Sequence, residues 1–121
     1  MARPRILVAD DEEGIRESLN LILEEEYDLV FAKDGQETLA KLGQEAVDLV
    51  LLDIKMPKLD GLEVLKRLKG QGNETPVLVL TAYQSVELAQ EAIKLGALDY
   101  LPKPFERDQI LSAVRDVLTR R

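Results

Sequence analysis

The sequence predicts an α/β fold, a doubly wound five-stranded parallel sheet with five helices, and three observations predict it. Short apolar runs alternate along the whole chain with stretches whose apolar residues recur at helical spacing. Three of the runs, Ile6-Leu7-Val8-Ala9, Leu49-Val50-Leu51-Leu52 and Val77-Leu78-Val79-Leu80, are unbroken, as strands buried on both faces are. Two of those three stop at carboxylates, Asp10-Asp11 and Asp53. Strand order 2-1-3-4-5 puts the most apolar strands in the middle and keeps every crossover right-handed. The switch point then lies between strands one and three, so Asp10, Asp11 and Asp53 meet at one end of the sheet.

Each element has its own signal. After the first strand, Asp11 or Glu12 opens a helix whose stripe is Ile15, Leu19, Ile22 and Leu23. Tyr27 to Ala32 alternates in polarity, which suits an edge strand. Asp34-Gly35 turns the chain into a second helix over 36–43, with Leu39 and Leu42 inward. Strand three ends at Asp53, and the segment from Lys55 to Gly61, with Pro57, breaks regular structure. Asp60 caps a third helix from Gly61 to Lys69, with Leu62, Leu65 and Leu68 on one face. Gly70-Gln71-Gly72-Asn73 is a loop. Strand four ends at Thr81-Ala82. A fourth helix runs from about Ser85 to Leu95 with Val86, Ala89, Ala92 and Ile93 inward, and Gly96 stops it. Leu98 to Leu101 is a short fifth strand, interrupted by Pro102-Lys103-Pro104-Phe105. The last helix starts near Glu106 and carries Ile110, Leu111, Val114, Val117 and Leu118.

Composition narrows the function. The 121 residues suit one domain, expected over 1–121, and 45% hydrophobic with 32% charged is ordinary for a globular chain. There is no Cys and no His, which removes disulfides, thiolate or imidazole metal sites, and any Ser-His-Asp triad. A net charge of −7 argues against nucleic-acid binding by this domain. No apolar stretch reaches membrane-spanning length, and Met1-Ala2-Arg3-Pro4 leads straight into a strand without a signal peptide. These absences point to the cytoplasm.

Two carboxylates about 4 Å apart repel by roughly 4 kcal/mol at an effective dielectric of about 20, so three together need a proton or a cation. A hard ion such as Mg²⁺ suits carboxylates, a backbone carbonyl and water. Lys103 follows strand five and can reach the same end of the sheet. Thr81 offers a hydroxyl there, and Ala82 beside it leaves room for a ligand. A carboxylate nucleophile, a divalent metal, a lysine and a hydroxyl together suit phosphoryl transfer through an acyl phosphate.

With Asp10-Asp11, Asp53, Met56-Pro57, Asp60-Gly61, Thr81-Ala82, Tyr100 and Lys103-Pro104-Phe105 in place, the chain resembles, over nearly its whole length, the receiver domain of two-component response regulators. The flavodoxin-like fold of that family has the 2-1-3-4-5 order, so the order inferred above and the resemblance are not independent. The resemblance implies that Asp53 accepts a phosphoryl group from a phosphohistidine on a sensor histidine kinase or a histidine phosphotransfer protein. It implies Mg²⁺ held directly by Asp11, Asp53 and the Lys55 backbone carbonyl, with Asp10 acting through water. It implies that Lys103 pairs with Asp53 and then with the phosphoryl group, and that the Lys103–Pro104 bond is cis. Thr81 and Tyr100 would form the switch, and helix four, strand five and helix five the output surface, which can dimerise on phosphorylation. Gly14, Ile15 and Ser18 lie where a kinase would dock, although Ile15 also suits the core.

Lys55 and Tyr83 should flank the phosphoryl group; both are bulky and neither orients water, which implies slow self-dephosphorylation. A flavodoxin would need a phosphate loop where Asp10-Asp11-Glu12-Glu13 stands. A haloacid-dehalogenase-type phosphatase would want an Asp where Lys55 stands. A receiver-like module that is never phosphorylated is the third alternative. The ending Leu118-Thr119-Arg120-Arg121 fits a stand-alone regulator and an excised receiver of a longer protein equally.

Overall fold

The structure is a computed structural model that describes residues 3–82 and 86–119. Tyr83 and the expected helix start near Ser85 lie outside the described residues. The elements are β1 (Arg5–Ala9), α1 (Glu13–Leu23), β2 (Asp28–Ala32), α2 (Gly35–Gln44), β3 (Leu49–Asp53), α3 (Gly61–Gly70), β4 (Val77–Ala82), α4 (Val86–Lys94), β5 (Asp99–Lys103) and α5 (Arg107–Thr119). The sheet is parallel throughout in the order β2-β1-β3-β4-β5, as the apolar runs predict. No described helix is long and apolar enough to cross a membrane.

Strand alternation splits the core into two layers. Ile6, Val8, Leu49, Leu51, Leu78 and Leu80 face α1 and α5, meeting Leu19, Leu23, Ile110, Val114 and Val117. Leu7, Ala9, Val50, Leu52, Val77 and Val79 face the other way, meeting Val64, Leu65 and Leu68 of α3 and Ala92 of α4. Every residue of β3 is buried, which is why its sequence is apolar right up to the terminal Asp53. The edge strand β2 is partly covered by Lys41, whose ammonium donates to the Phe31 carbonyl at 2.6 Å. A cation on an edge carbonyl blunts pairing with a foreign strand.

Several local expectations need correction. Val86 and Ile93 are 50% and 40% exposed rather than inward. Leu88 and Leu95 pack on the core beside Ala89 and Ala92, and this stripe leaves Val86 and Ile93 nearly opposite. The fifth strand continues through Pro102 to Lys103 instead of breaking at Pro102. β5 is an edge strand, where a residue without an N–H is tolerated. Glu12 is the first flanking residue of α1 but makes no side-chain cap; instead the Asp10 carboxylate accepts the Glu12 N–H at 2.9 Å. Asp34 does more than turn the chain: its Oδ1 accepts the Glu37 N–H at 2.8 Å and caps α2. Asp60 caps α3 as expected, accepting from Glu63 at 2.9 Å.

Candidate functional site

The alternation that fills the α1–α5 side of the core also aims three polar side chains. Asp10 continues the series Ile6, Val8; Asp53 continues Leu49, Leu51; Lys103 continues Leu101. All three emerge at the carboxyl end of the sheet on one face. Asp10 is fully buried, and Asp53 is 5% exposed. The Lys103 ammonium lies 2.7 Å from Asp10 Oδ2 and 3.5 Å from Asp53 Oδ1. Its nearer partner is thus Asp10, not Asp53. The Lys103–Pro104 peptide bond is cis.

Asp10 is held from three sides. One carboxylate oxygen takes the Glu12 N–H, the other takes Lys103, and its carbonyl accepts Arg16 of α1 at 2.7 Å. Asp53 is fixed by the backbone behind it. The Gly61 N–H donates to the Ile54 carbonyl at 2.7 Å. A Cβ on Gly61 would sit 2.5 Å from the Asp53 carbonyl oxygen and 2.8 Å from the Ile54 Cα, so only glycine lets α3 begin this close.

The electrostatics follow from burial. Desolvation, then the Asp10 charge, push the Asp53 carboxyl up to about 7; Lys103 and the Lys55 N–H pull against them, and Asp11 adds a smaller upward push. For Lys103, burial acts to lower the pKa, but the Asp10 hydrogen bond and the charges of Asp53, Asp10 and Glu12 outweigh it and raise it. The pocket therefore holds one firm cation among carboxylates that crowd one another.

Asp10, Asp11 and Glu12 bring one carboxylate oxygen each within 4.8 Å of one another. Asp10 is buried, while Asp11 and Glu12 are exposed. An all-carboxylate cluster open to water on one side fits a hard divalent cation that keeps part of its hydration shell. Glu12 was absent from the expected ligands. Its neighbours Asp11 and Asp10 mark the place in the sequence, but the Asp10 to Glu12 N–H bond that turns the chain there is not visible in it.

Thr81 is 3% exposed at the end of β4, and its hydroxyl has a long 3.4 Å hydrogen bond to the Ala82 carbonyl. Thr81, Ala82, Val86, Tyr100 and Pro102 line a cavity of about 240 Å³. Tyr100 is 36% exposed at its rim. The Lys55 side chain is exposed beside the site. Gly14 and Ser18 are exposed on α1, whereas Ile15 packs against the α1–α5 core.

Comparison with known proteins shows the family. Residues 6–115 match the response regulator receiver domain family. The chain is 44% identical over 117 residues to the response regulator MprA of Mycolicibacterium vanbaalenii and equally to that of Mycobacterium tuberculosis, covering 96% of this chain and 51% of each. It thus spans about half the length of those regulators. Among solved structures, the Francisella response regulator 1452 receiver domain superimposes with a TM-score of 0.91 at 38% identity, covering 98% of both chains. Full-length FixJ from B. japonicum gives 0.92 at 37% identity over 99% of this chain and 60% of that one. A chain with this sheet order, this strand-end acidic site and these relatives belongs to the response regulator receiver domain family and to two-component signalling.

Proposed function

We propose that this chain, one receiver domain over residues 1–121, is a phosphorylation switch whose acceptor is Asp53. It acts in the cytoplasm, and its donor is the phosphohistidine of a sensor histidine kinase or a histidine phosphotransfer protein. The observation that carries this reading is the buried Asp53 carboxylate facing the Lys103 ammonium at 3.5 Å, at the carboxyl end of a fully buried strand. An Asp53 oxygen attacks phosphorus, the bond from phosphorus to the donor imidazole nitrogen breaks, and that nitrogen keeps the electron pair. The domain thereby assists its own phosphorylation and slow dephosphorylation without being an enzyme in the ordinary sense.

Asp11, Asp53 and the Lys55 carbonyl would hold Mg²⁺ directly, with Asp10 acting through water; the grouping of the Glu12 carboxylate with those of Asp10 and Asp11 supports its taking part as well. Mg²⁺ bound there supplies positive charge against the phosphoryl oxygens. Lys103 stabilises charge on the same oxygens by exchanging its Asp53 contact for the phosphoryl group. Thr81, whose hydroxyl donates to the Ala82 carbonyl at a long 3.4 Å, turns toward a phosphoryl oxygen. Tyr100 then moves from the rim into the cavity it shares with Thr81. The readout is a population shift of the surface made by α4, β5 and α5, through which two copies can pair. The exposed Val86 and Ile93 of α4 and Tyr100 of β5 on that surface support this assignment.

The test is intact-mass measurement after incubation with a small-molecule phosphodonor, with and without Mg²⁺, beside Asp53→Ala. One added phosphoryl group that requires both Mg²⁺ and Asp53 is expected. No addition to the unaltered protein would instead favour a constitutive binding module.

A further inference from the structure

The segment between β3 and α3 carries the Lys55 carbonyl and runs on through Lys58 and Leu59 to the Asp60 cap. Its far end does not stand alone. It rests on the start of α2, an element that contributes no side chain to the site described above. Three observations meet there. Gly35, the first residue of α2, packs so closely on this segment that an added Cβ would collide with the Leu59 carbonyl oxygen and lie 2.6 Å from the Leu59 Cβ. Asp34, 5% exposed, faces Lys58, with Oδ2 3.7 Å from the ammonium. Lys58 has φ +68, a left-handed conformation that a residue with a Cβ adopts at a cost.

Lys58 holds no obvious advantage over Gly or Asn at such a backbone position except its charge. That charge reaches the buried carboxylate whose other oxygen is already committed to the Glu37 N–H. The capping bond fixes Asp34, so Asp34 in turn offers a fixed anchor to Lys58. Its two ends are also tied to each other, the Gly61 N–H donating to the carbonyl of Ile54, the first residue past β3, whose own N–H donates to the Leu80 carbonyl of β4. The segment is therefore a closed loop anchored on the sheet at Ile54 and on α2 at Lys58 and Leu59, with the Lys55 carbonyl between.

We propose that Asp34, Gly35 and Lys58 form a latch that positions the β3–α3 segment, and with it the Lys55 carbonyl, for divalent cation binding. Asp34 and Lys58 are positioning residues. They touch neither the cation nor the phosphoryl group, and the inference rests on the metal reading given under the proposed function. It makes the start of α2 a place from which occupancy of the acidic site can be tuned.

A latch and a simple charge effect differ in sign. By field alone, Asp34→Asn weakens Mg²⁺ binding and Lys58→Gln strengthens it, since one removes a negative charge and the other a positive one. With a latch, both weaken it. Isothermal titration of the full chain with Mg²⁺ should give a dissociation constant raised roughly twofold to threefold in each variant, the size expected for a partly exposed ion pair. Asn keeps the α2 cap, so Asp34→Asn remains folded. Gly35→Ala should weaken binding further, if it folds. Hydrogen exchange of the Gly61 amide in Mg²⁺-free protein is the independent readout, expected to quicken in both charge variants. Tighter Mg²⁺ binding by Lys58→Gln, or Gly61 exchange unchanged in both variants, would overturn the latch. Absence of Mg²⁺ binding by the unaltered protein would overturn the metal reading instead, and the exchange experiment would still decide the latch.

Discussion

Asp53 is a carboxylate placed where its ionised form is poorly tolerated. Burial and the Asp10 charge raise its pKa to about 7, whereas in the unfolded chain it titrates near the ordinary value of about 3.9. The folded protein therefore binds a proton that the unfolded chain releases, and stability contributed at this residue falls as pH rises from about 4 toward 7. Without divalent cation, Asp53→Asn should raise the melting temperature at pH 8 by about 3 °C, measured by calorimetry; an unchanged or lower value would mean the crowding is relieved some other way. A second expectation concerns the acyl phosphate. Lys55→Asn and Tyr83→Glu should each speed its decay severalfold, because each replaces a bulky residue with one whose amide or carboxylate can orient water. Decay as slow as in the unaltered protein in both variants would remove that role from these positions. Asp10, Asp53 and Lys103 were legible in the sequence because strand-end positions follow from apolar runs once the topology is set. Glu12 was not, since its approach to Asp10 and Asp11 depends on a side-chain to backbone hydrogen bond. The closer pairing of Lys103 with Asp10 depends on side-chain distances that no periodicity encodes.

At the scale of elements, the site depends on how closely α3 starts against the end of β3 and α2 against the segment that joins them. Gly61→Ala should cost about 1–3 kcal/mol in urea unfolding, because a methyl group would have to displace the Asp53 carbonyl. It should also slow phosphoryl acceptance, which separates displacement at the site from a loss of stability elsewhere. Asp34 gives an acid-range signature. The Glu37 N–H, chiefly, and Lys58 hold its carboxyl below the usual range. A depressed folded pKa contributes stability above about pH 4 that is lost as pH falls through the folded value. The melting temperature of Asp34→Asn should therefore lie below that of the unaltered protein at neutral pH, with the gap closing in strong acid; a gap independent of pH would rule out this contribution. The helix start at Gly61 was readable from its Asp-Gly signal, whereas α2 begins at Gly35, one residue before the expected start, because Asp34 caps it as well as turning the chain. The rotation of α4 was not, because Val86 and Ile93 are as apolar as the Leu88 and Leu95 that take the inward stripe. Hydrophobicity alone could not choose between those two faces of a helix that lies near the sheet edge. β5 ran past Pro102 for the complementary reason: a breaker in a central strand is tolerated at an edge.

For the whole molecule, the two-layered core brings together residues distant in the chain. Asp10 and Lys103 are ion-paired from opposite ends of the sequence, and Thr81 faces a cavity whose rim is Tyr100. The carboxyl ends of β4 and β5, with Thr81 and Tyr100 on one cavity, are the route that the proposed switch from Asp53 to the α4–β5–α5 surface would use. The central claim is that Asp53 is the residue that becomes phosphorylated. The most direct measurement is borohydride trapping of phosphodonor-treated protein, followed by peptide mass spectrometry, since reduction of an aspartyl phosphate leaves homoserine at the modified position. Homoserine at position 53, dependent on Mg²⁺, is the expected result. Homoserine at position 10 or 11, the one-carbon-longer amino alcohol 2-amino-5-hydroxypentanoate at position 12, or no reduced residue in protein that has gained a phosphoryl group, would contradict it.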